Sequence, residues 1–391
     1  MRVALLTKEW PPNVYGGAGV HVSQLATVLK AENIDLEVHC FGEPRVDAIA
    51  HATPVEFVNS NPALAALATD LAMVDALNAD LFHSHTWYTN LAGHIGGLLQ
   101  GKPHVITAHS LEPHRPWKAE QLGGGYRISS WAEKTSYESA SAIIAVSDGM
   151  RSDILDTYPQ LDPSKVFTVR NGIDTHVFKP NHDLEVLHKY GIRSDEPFAL
   201  FVGRITRQKG LAHLLKAWQS VDPKIGLVLA AGAADEASIG SQVAELVATL
   251  QTERENIIWI QQMLPTTDLT ALLTAARVFV CPSIYEPLGI VNLEAMACET
   301  AVVASAVGGI PEVVAHQVTG ELVRYGDKDV DFESGLASAI NRVGDDAELA
   351  KRYGEAGRER VVAEFGWSQV AQATIEVYRH VLQGDSGKFY E

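Results

Sequence analysis

Short apolar runs alternate with helical stretches along the first half of the chain. This alternation is typical of a doubly wound parallel sheet, in which helices connect the strands and cover both faces. We therefore predict an α/β domain at residues 1–180. Its predicted strands are Val3–Thr7, Leu36–Phe41, Leu81–His85, His104–Ala108, Ala142–Val146 and Val166–Val169.

The same alternation restarts after a Pro- and Asp-containing segment, residues 179–197. A second Rossmann-like domain is predicted at residues 190–365, so that two such domains face each other across a cleft lined by C-terminal strand ends. Residues 366–391 are expected to form a C-terminal helix that packs back on the first domain. The predicted strands of the second half are Phe198–Gly203, Gly226–Ala231, Ile257–Gln261, Val278–Pro282 and Ala301–Ser305.

The charge balance narrows the classes of partner. The chain has 391 residues with 31 Lys and Arg against 48 Asp and Glu, a formal net charge of -17. A field of that sign repels nucleic acids and anionic lipids, so neither is an expected partner. Small phosphate anions stay compatible, because helix N-termini and a few well-placed cations bind phosphate at any net charge.

The cysteines and the apolar segments indicate a cytoplasmic location. Cys40, Cys281 and Cys298 are widely spaced and form no CxxC pair, as expected in a reducing compartment. We find no signal-like leader and no apolar stretch of about 18 residues. No membrane association is therefore expected.

Two strand-to-helix turns carry candidate phosphate ligands. Gly16 and Gly17 follow the first strand, where glycine amides and a helix N-terminus favour a phosphate; an ordinary βα turn is the alternative. In the second half, Arg204 and Lys209, with Arg207 between them, follow a strand. Cations placed there would bind a diphosphate without a metal, the alternative being a solvated basic loop.

A carboxylate pair follows the strand Val278–Pro282. Glu286 is predicted on the loop, and Glu294 about one turn into the next helix. Carboxylates accept hydrogen bonds from vicinal diols, which suits a ribose or a hexose. The backbone amides of Leu288, Gly289 and Ile290 open that helix and would bind a further oxygen. The alternative is one helix-capping and one exposed glutamate.

The E-x7-E spacing, with G-R-x4-K upstream, resembles the retaining GT-B glycosyltransferases of the bacterial glycogen synthase type. It is most similar to their short actinobacterial branch, which uses ADP-glucose and includes enzymes that make α-maltose 1-phosphate. The resemblance covers nearly the whole chain. Its other motifs are Tyr15–Gly19, His83–Trp87, Thr107–Ser110, Gln121–Gly125, Asn171–Asp174 and Gly308–Glu312.

The resemblance implies a role for each matching residue on the donor side. Arg204 and Lys209 would neutralise the nucleotide diphosphate, and Glu294 would bind the ribose. Glu286 would contact the transferred glucose, and His109 would lie beside the anomeric carbon and the glucose O6. Gly16 and Gly17 would lie beside the donor phosphates. The implied reaction is α-1,4-glucosyl transfer with retention, in which the leaving diphosphate accepts the acceptor proton.

The acceptor stays open between a glucan end and α-glucose 1-phosphate. The K-x-G-G lysine of the long glycogen synthases is absent, since Val14 occupies its position. A basic and aromatic region would serve either acceptor, with ordinary packing as the alternative. Its cations are Arg115, Lys118 and Arg127; its aromatic residues are Trp87, Trp117, Tyr126 and Trp131; Asn171 flanks the predicted cleft.

Three other interpretations are weighed against this function. A retaining transferase with a UDP-sugar donor and another small acceptor differs only in its substrates. A nicotinamide-dependent oxidoreductase is disfavoured because the first turn lacks GxGxxG, and a sugar-binding protein without activity is the third.

A metal is not expected. His83, His85, His109 and His114 invite a metal interpretation, but no carboxylate or cysteine at ligand spacing completes the set. No cofactor is predicted, and a homodimer is left open.

Overall fold

The computed structural model describes residues 1–14, 16–232, 234–326 and 328–384. The chain forms two compact units, one of Met1–Gly172 with the chain from Trp367 onward, the other of Ile173–Gly366. The boundary lies earlier than the sequence predicts, because residues 173–180 belong to the second unit. Ile173 N–H donates there to the carbonyl oxygen of Phe365, at 2.9 Å.

The first unit is a parallel α/β sheet in the order β3-β2-β1-β4-β5-β6-β7. The strand order reverses between β1 and β4, where the carboxyl ends of strands in such folds bind ligands. Its elements are β1 (Arg2–Thr7), α1 (Gly17–Ala31), β2 (Asp35–Phe41), β3 (Ile49–His51), α2 (Pro62–Val74), β4 (Leu81–His85), α3 (Trp87–Gln100), β5 (His104–Ala108), α4 (Lys118–Leu122), α5 (Gly125–Ser139), β6 (Ala142–Ala145), α6 (Asp148–Thr157) and β7 (Val166–Thr168).

The second unit has a parallel sheet in the order β10-β9-β8-β11-β12-β13, with its reversal between β8 and β11. The predicted doubly wound architecture is thereby confirmed in both units. The elements of this unit are α7 (Leu184–Lys189), β8 (Phe198–Val202), α8 (Leu211–Ala217), β9 (Gly226–Ala230), α9 (Ala237–Glu253), β10 (Ile257–Ile260), α10 (Thr266–Ala275), β11 (Val278–Cys281), α11 (Ile290–Ala297), β12 (Val302–Ser305), α12 (Ile310–Val313), β13 (Gly320–Val323), α13 (Asp329–Asp345) and α14 (Ala347–Glu364).

A last helix, α15 (Trp367–Gly384), returns to the first unit. Its apolar face, which includes Val370 and Ile375, shares a buried core with Val3 of β1 and Leu25 of α1. The fold adds two short edge strands, β3 and β13, to those predicted. Within the described ranges, no helix is long and apolar enough to cross a membrane.

Candidate active site

In the second unit, the loop between β8 and α8 is held against the end of β11. The hydroxyl of Thr206 accepts the N–H of Lys209 at 3.3 Å and caps a short 3-10 turn. Gly210 has φ +64, and a Cβ there would collide with the carbonyl oxygen of Pro282. Only glycine meets both conditions without strain, so the packing carries Lys209 to the loop that follows β11.

Lys209 and Glu286, which the sequence assigns to different parts of one donor, form an ion pair. Lys209 Nζ lies 2.7 Å from Glu286 Oε2, and the hydroxyl of Ser283 donates to the same oxygen at 3.0 Å. Burial opposes the charge of Lys209, but the charge and hydrogen bond of Glu286 outweigh it, so the pKa of Lys209 is raised. The lysine is therefore a cation at neutral pH.

The main chain of Glu286 is also fixed by the Gly308–Glu312 motif. The N–H of Gly309 donates to the Glu286 carbonyl oxygen at 3.0 Å. Gly308 has φ +51 and comes so close that a Cβ would collide with that carbonyl. The two glycines thus hold the loop that presents the carboxylate.

Glu294 lies on the second turn of α11, half-buried, and Lys209 acts on it at a distance. Burial raises the pKa of Glu294 to about 7, and the charge of Lys209 opposes that rise. Gly289 (φ 98) is the N-cap of α11, Leu288 before it is buried, and Ile290 begins the helix. The structure therefore places the predicted donor carboxylates and helix amides on one loop–helix segment.

Arg204 and Arg207 contact acidic residues that carry no sequence signal. Arg204 Nη1 donates to both carboxylate oxygens of Asp235, at 3.0 and 2.9 Å, and Arg207 Nε lies 3.3 Å from Glu236 Oε2. The Arg204 side chain is half-exposed, at 47%. An exposed pair of this kind contributes about 0–1 kcal/mol, so an anion that reached Arg204 would displace Asp235 at little cost.

In the first unit, the carboxylate of Glu9 contacts the glycine turn that precedes α1. The Gly16 N–H donates to Glu9 Oε2 at 2.9 Å, and Gly17 begins α1. A carboxylate therefore accepts the Gly16 hydrogen in this structure, and the predicted place of Gly16 and Gly17 beside the donor phosphates stays a prediction. Tyr15, part of the same motif, lies outside the described residues.

Three histidines converge at the carboxyl ends of β4 and β5. His85 Nδ1 and His109 Nε2 lie 3.0 Å apart, and the ring of His21 is 4.8 Å from that of His109. Burial lowers the pKa of His21 to about 4 and those of His85 and His109 well below the ordinary value. All three are therefore neutral imidazoles at physiological pH.

This histidine group differs from the set that the sequence suggested. His83 bonds instead to Tyr378 and Thr107, and His114 bonds to Thr157. One ring nitrogen of each of His21, His85 and His109 lies within 4.8 Å of the others, so these three could hold a metal ion. His21 was not foreseen because it lies on α1, far from the other two in sequence.

The predicted acceptor residues differ widely in how exposed they are. Trp87 is 3% exposed and stacks on Tyr88 in a core cluster, so its predicted role as a sugar platform is wrong. Tyr126 donates its hydroxyl to the Glu112 carbonyl at 2.8 Å. The remaining candidates are placed as follows: Trp117 half-buried, Trp131 and Arg127 exposed on α5, and Asn171 buried near His21.

Arg115 and Lys118 share a buried carboxylate, that of Glu112. Lys118 Nζ lies 3.3 Å from Glu112 Oε1, and Arg115 Nη1 lies 4.0 Å from the same atom. Ser129 donates to the other oxygen at 2.7 Å. Burial and the charge of Arg115 lower the pKa of Lys118 to about 8.

Comparison with known proteins identifies the family and the fold. Residues 15–177 match the family model "Glycosyltransferase Family 4", and residues 184–360 match "Glycosyl transferases group 1". Sucrose-phosphate synthase from Thermosynechococcus elongatus has a similar structure, with a TM-score of 0.81 and 25% identity over 98% of this chain and 99% of that one. The fold and site thus define a glycosyltransferase of the GT-B class.

Sequence relatives narrow the class. Alpha-maltose-1-phosphate synthase of Mycolicibacterium smegmatis is 55% identical over 97% of this chain and 100% of its own length, and that of Mycobacterium tuberculosis H37Rv is 51% identical with the same coverage. Glycogen synthase of M. tuberculosis H37Rv is 29% identical over 98% and 96%. The chain belongs to the glycosyltransferase family that contains these α-maltose-1-phosphate synthases.

Proposed function

We propose that the protein transfers glucose from ADP-glucose, with retention, to α-glucose 1-phosphate and so makes α-maltose 1-phosphate. The observation that carries the proposal is the 55% identity, over nearly the full length, to a protein of that name. Transfer to a glucan end is the second candidate, favoured by the 29% identity to a glycogen synthase. A UDP-sugar donor is the third.

On the donor side, the chemistry needs cations more than a nucleophile. When the bond from the anomeric carbon to the diphosphate oxygen breaks, negative charge develops on that oxygen. Positioned cations stabilise such charge in the transition state. We assign this role to Lys209 and Arg204, with Glu286 holding Lys209 and binding the glucose hydroxyls and Glu294 binding the ribose.

The acceptor hydroxyl then bonds to the anomeric carbon on the face that the diphosphate leaves. Its proton passes to the departing phosphate oxygen, so no protein base is required and the configuration is retained. The neutral rings of His109 and His85 are suited to hydrogen bonds with sugar hydroxyls, since a neutral imidazole both donates and accepts.

No metal is needed in this scheme, because Lys209 and Arg204 supply the positive charge. The expected test is direct: ADP release is unchanged after dialysis against EDTA. A loss of activity that Mg²⁺, Mn²⁺ or Zn²⁺ restores would overturn the metal-free assignment. Cys40, Cys281 and Cys298 are all free and buried, which fits the cytoplasmic location we propose.

The deciding experiment measures ADP release with ADP-glucose or UDP-glucose as donor and with glucose 1-phosphate or glycogen as acceptor. We expect the fastest turnover with ADP-glucose and glucose 1-phosphate, and a product with the mass of a hexose disaccharide phosphate. Glu286→Gln serves as the inactive control. ADP release with glycogen alone would favour the second candidate, and no release with either acceptor would refute the proposal.

A further inference from the structure

Lys8 is a cation that the proposed chemistry does not use. It directly follows β1, and its Nζ lies 3.8 Å from the centroid of the Tyr88 ring. The side chain is half-buried, and burial lowers the pKa of Lys8 despite the opposing charge of Glu9. A partly desolvated lysine has lost hydration that an anionic ligand would replace.

Two further cations lie in the same region. Lys118 Nζ is 5.8 Å from the centroid of the same Tyr88 ring, and Arg115 lies with Lys118 around Glu112. The charge of Lys8 contributes to lowering the pKa of Lys118. Lys8, Tyr88 and the Arg115–Lys118 pair follow β1, β4 and β5, which are neighbours in the sheet, so all lie at the edge where such sheets bind ligands.

Carboxylates also lie beside these cations. The charge of Glu9 acts on Lys8 and that of Glu112 on Lys118, and Glu9 also accepts the Gly16 N–H. A third carboxyl nearby, Glu133, adds little negative charge at neutral pH. Burial and the charge of Glu112 raise its pKa to about 8.

Arg115 also has an unused donor. Its Nη1 donates to Ser110 Oγ at 3.2 Å, but its Nε is buried without a hydrogen-bond partner among the described residues. Buried donors are rarely left unsatisfied. An anion that reached this guanidinium would accept that hydrogen.

We infer that Lys8, Arg115 and Lys118 form a subsite for a phosphate monoester, the phosphate of the acceptor, and that Lys8 selects a phosphorylated over an uncharged acceptor. The assignment of that phosphate to the acceptor rests on the proposed function. Tyr88 holds Lys8 over its ring by a cation–π contact, and Glu112 holds the other two cations. Lys8 acts in acceptor binding and takes no part in bond breaking.

The test compares Lys8→Met with the matched control Lys30→Met, which removes an exposed lysine of α1. With ADP-glucose saturating, we expect Lys8→Met to raise KM for glucose 1-phosphate about tenfold or more, the effect of one charge-assisted hydrogen bond. We expect the hydrolysis of ADP-glucose without acceptor to stay within about twofold of wild type, because the variant leaves the proposed donor contacts unchanged. Lys8→Arg restores most of the affinity, and Lys30→Met changes nothing.

An unchanged KM for glucose 1-phosphate in a folded Lys8→Met variant would overturn the inference, as would an equal loss of acceptor-free hydrolysis. Should wild type release no ADP with glucose 1-phosphate, the proposed function fails, and calorimetric titration with inorganic phosphate still decides the subsite. Weaker phosphate binding by Lys8→Met than by Lys30→Met supports it. Equal binding by the two variants, or none by wild type, refutes it.

Discussion

The ion pair between Lys209 and Glu286 allows a structural and a catalytic role to be separated. Lys209→Met removes the cation and leaves the Glu286 carboxylate with the hydroxyl of Ser283. The two paired side chains are only 19% and 10% exposed. Removing one partner of a buried pair leaves an uncompensated charge and costs about 3–5 kcal/mol.

Because the pair is not fully buried, we expect Lys209→Met to lower the free energy of unfolding by the smaller value of that range, about 3 kcal/mol. For a domain of this size, such a loss lowers the unfolding midpoint by about 6–12 °C. The double variant Lys209→Met/Glu286→Gln buries no unpaired charge, and we expect it to recover more than half of that loss. Its turnover stays low, because neither residue can act on the donor.

The assay combines thermal unfolding with kcat and KM for ADP-glucose, measured by ADP release. For Lys209→Met we expect kcat to fall about 10²–10³-fold, the effect of removing one group that stabilises charge in the transition state, with a smaller change in KM. An unchanged kcat with only weaker donor binding would refute the assignment. Recovery of kcat in the double variant would show that the stability loss, and not the missing cation, had caused the defect.

Three further predictions concern residues outside this pair. Arg204→Gln should leave stability within about 1 kcal/mol of wild type, because its pair with Asp235 is exposed, yet weaken ADP-glucose turnover at least about tenfold; equal turnover would contradict its donor role. Tyr378→Phe removes the hydroxyl that lies 2.6 Å from His83 Nδ1 and should lower the free energy of unfolding by about 1–3 kcal/mol. An unchanged free energy of unfolding in denaturant would contradict this. Burial raises the pKa of Asp70 well above its ordinary value of 3.8. Above pH 3.8 the unfolded chain ionises this carboxyl more readily than the folded chain does, so Asp70 lowers the free energy of unfolding as the pH rises. The unfolding midpoint of wild type should therefore fall relative to that of Asp70→Asn as the pH rises above 3.8, and a pH-independent difference would contradict this.

Much of the fold could be predicted from local pattern. The runs Leu81–His85 and His104–Ala108 are strands within the limits that their apolar character indicated. β3 (Ile49–His51) was missed because it contains a single strong strand former, and β13 (Gly320–Val323) because Gly and Glu take two of its four positions. Strands as short as β7 (Val166–Thr168) and β10 (Ile257–Ile260) were predicted, since they consist of β-branched and aromatic residues.

The candidate donor residues were also accessible to sequence reasoning. Arg204, Lys209 and Glu286 follow β8 and β11, and parallel strands deliver their carboxyl ends to one edge of the sheet. That reasoning could not reveal that Lys209 and Glu286 bind each other at 2.7 Å. It also could not show that Asp235, from a separate loop, pairs with Arg204.

The sequence by itself determined the two α/β units and the strand ends that carry the candidate chemistry, because strand and helix formation follow from nearby residues. Only the tertiary structure decided that Glu9 occupies the Gly16 amide, that His21 joins His85 and His109, and that Trp87 is part of the core. These outcomes depend on side chains distant in sequence. Their contacts are set by how helices pack on the sheet, and that packing leaves no periodic signal in the chain.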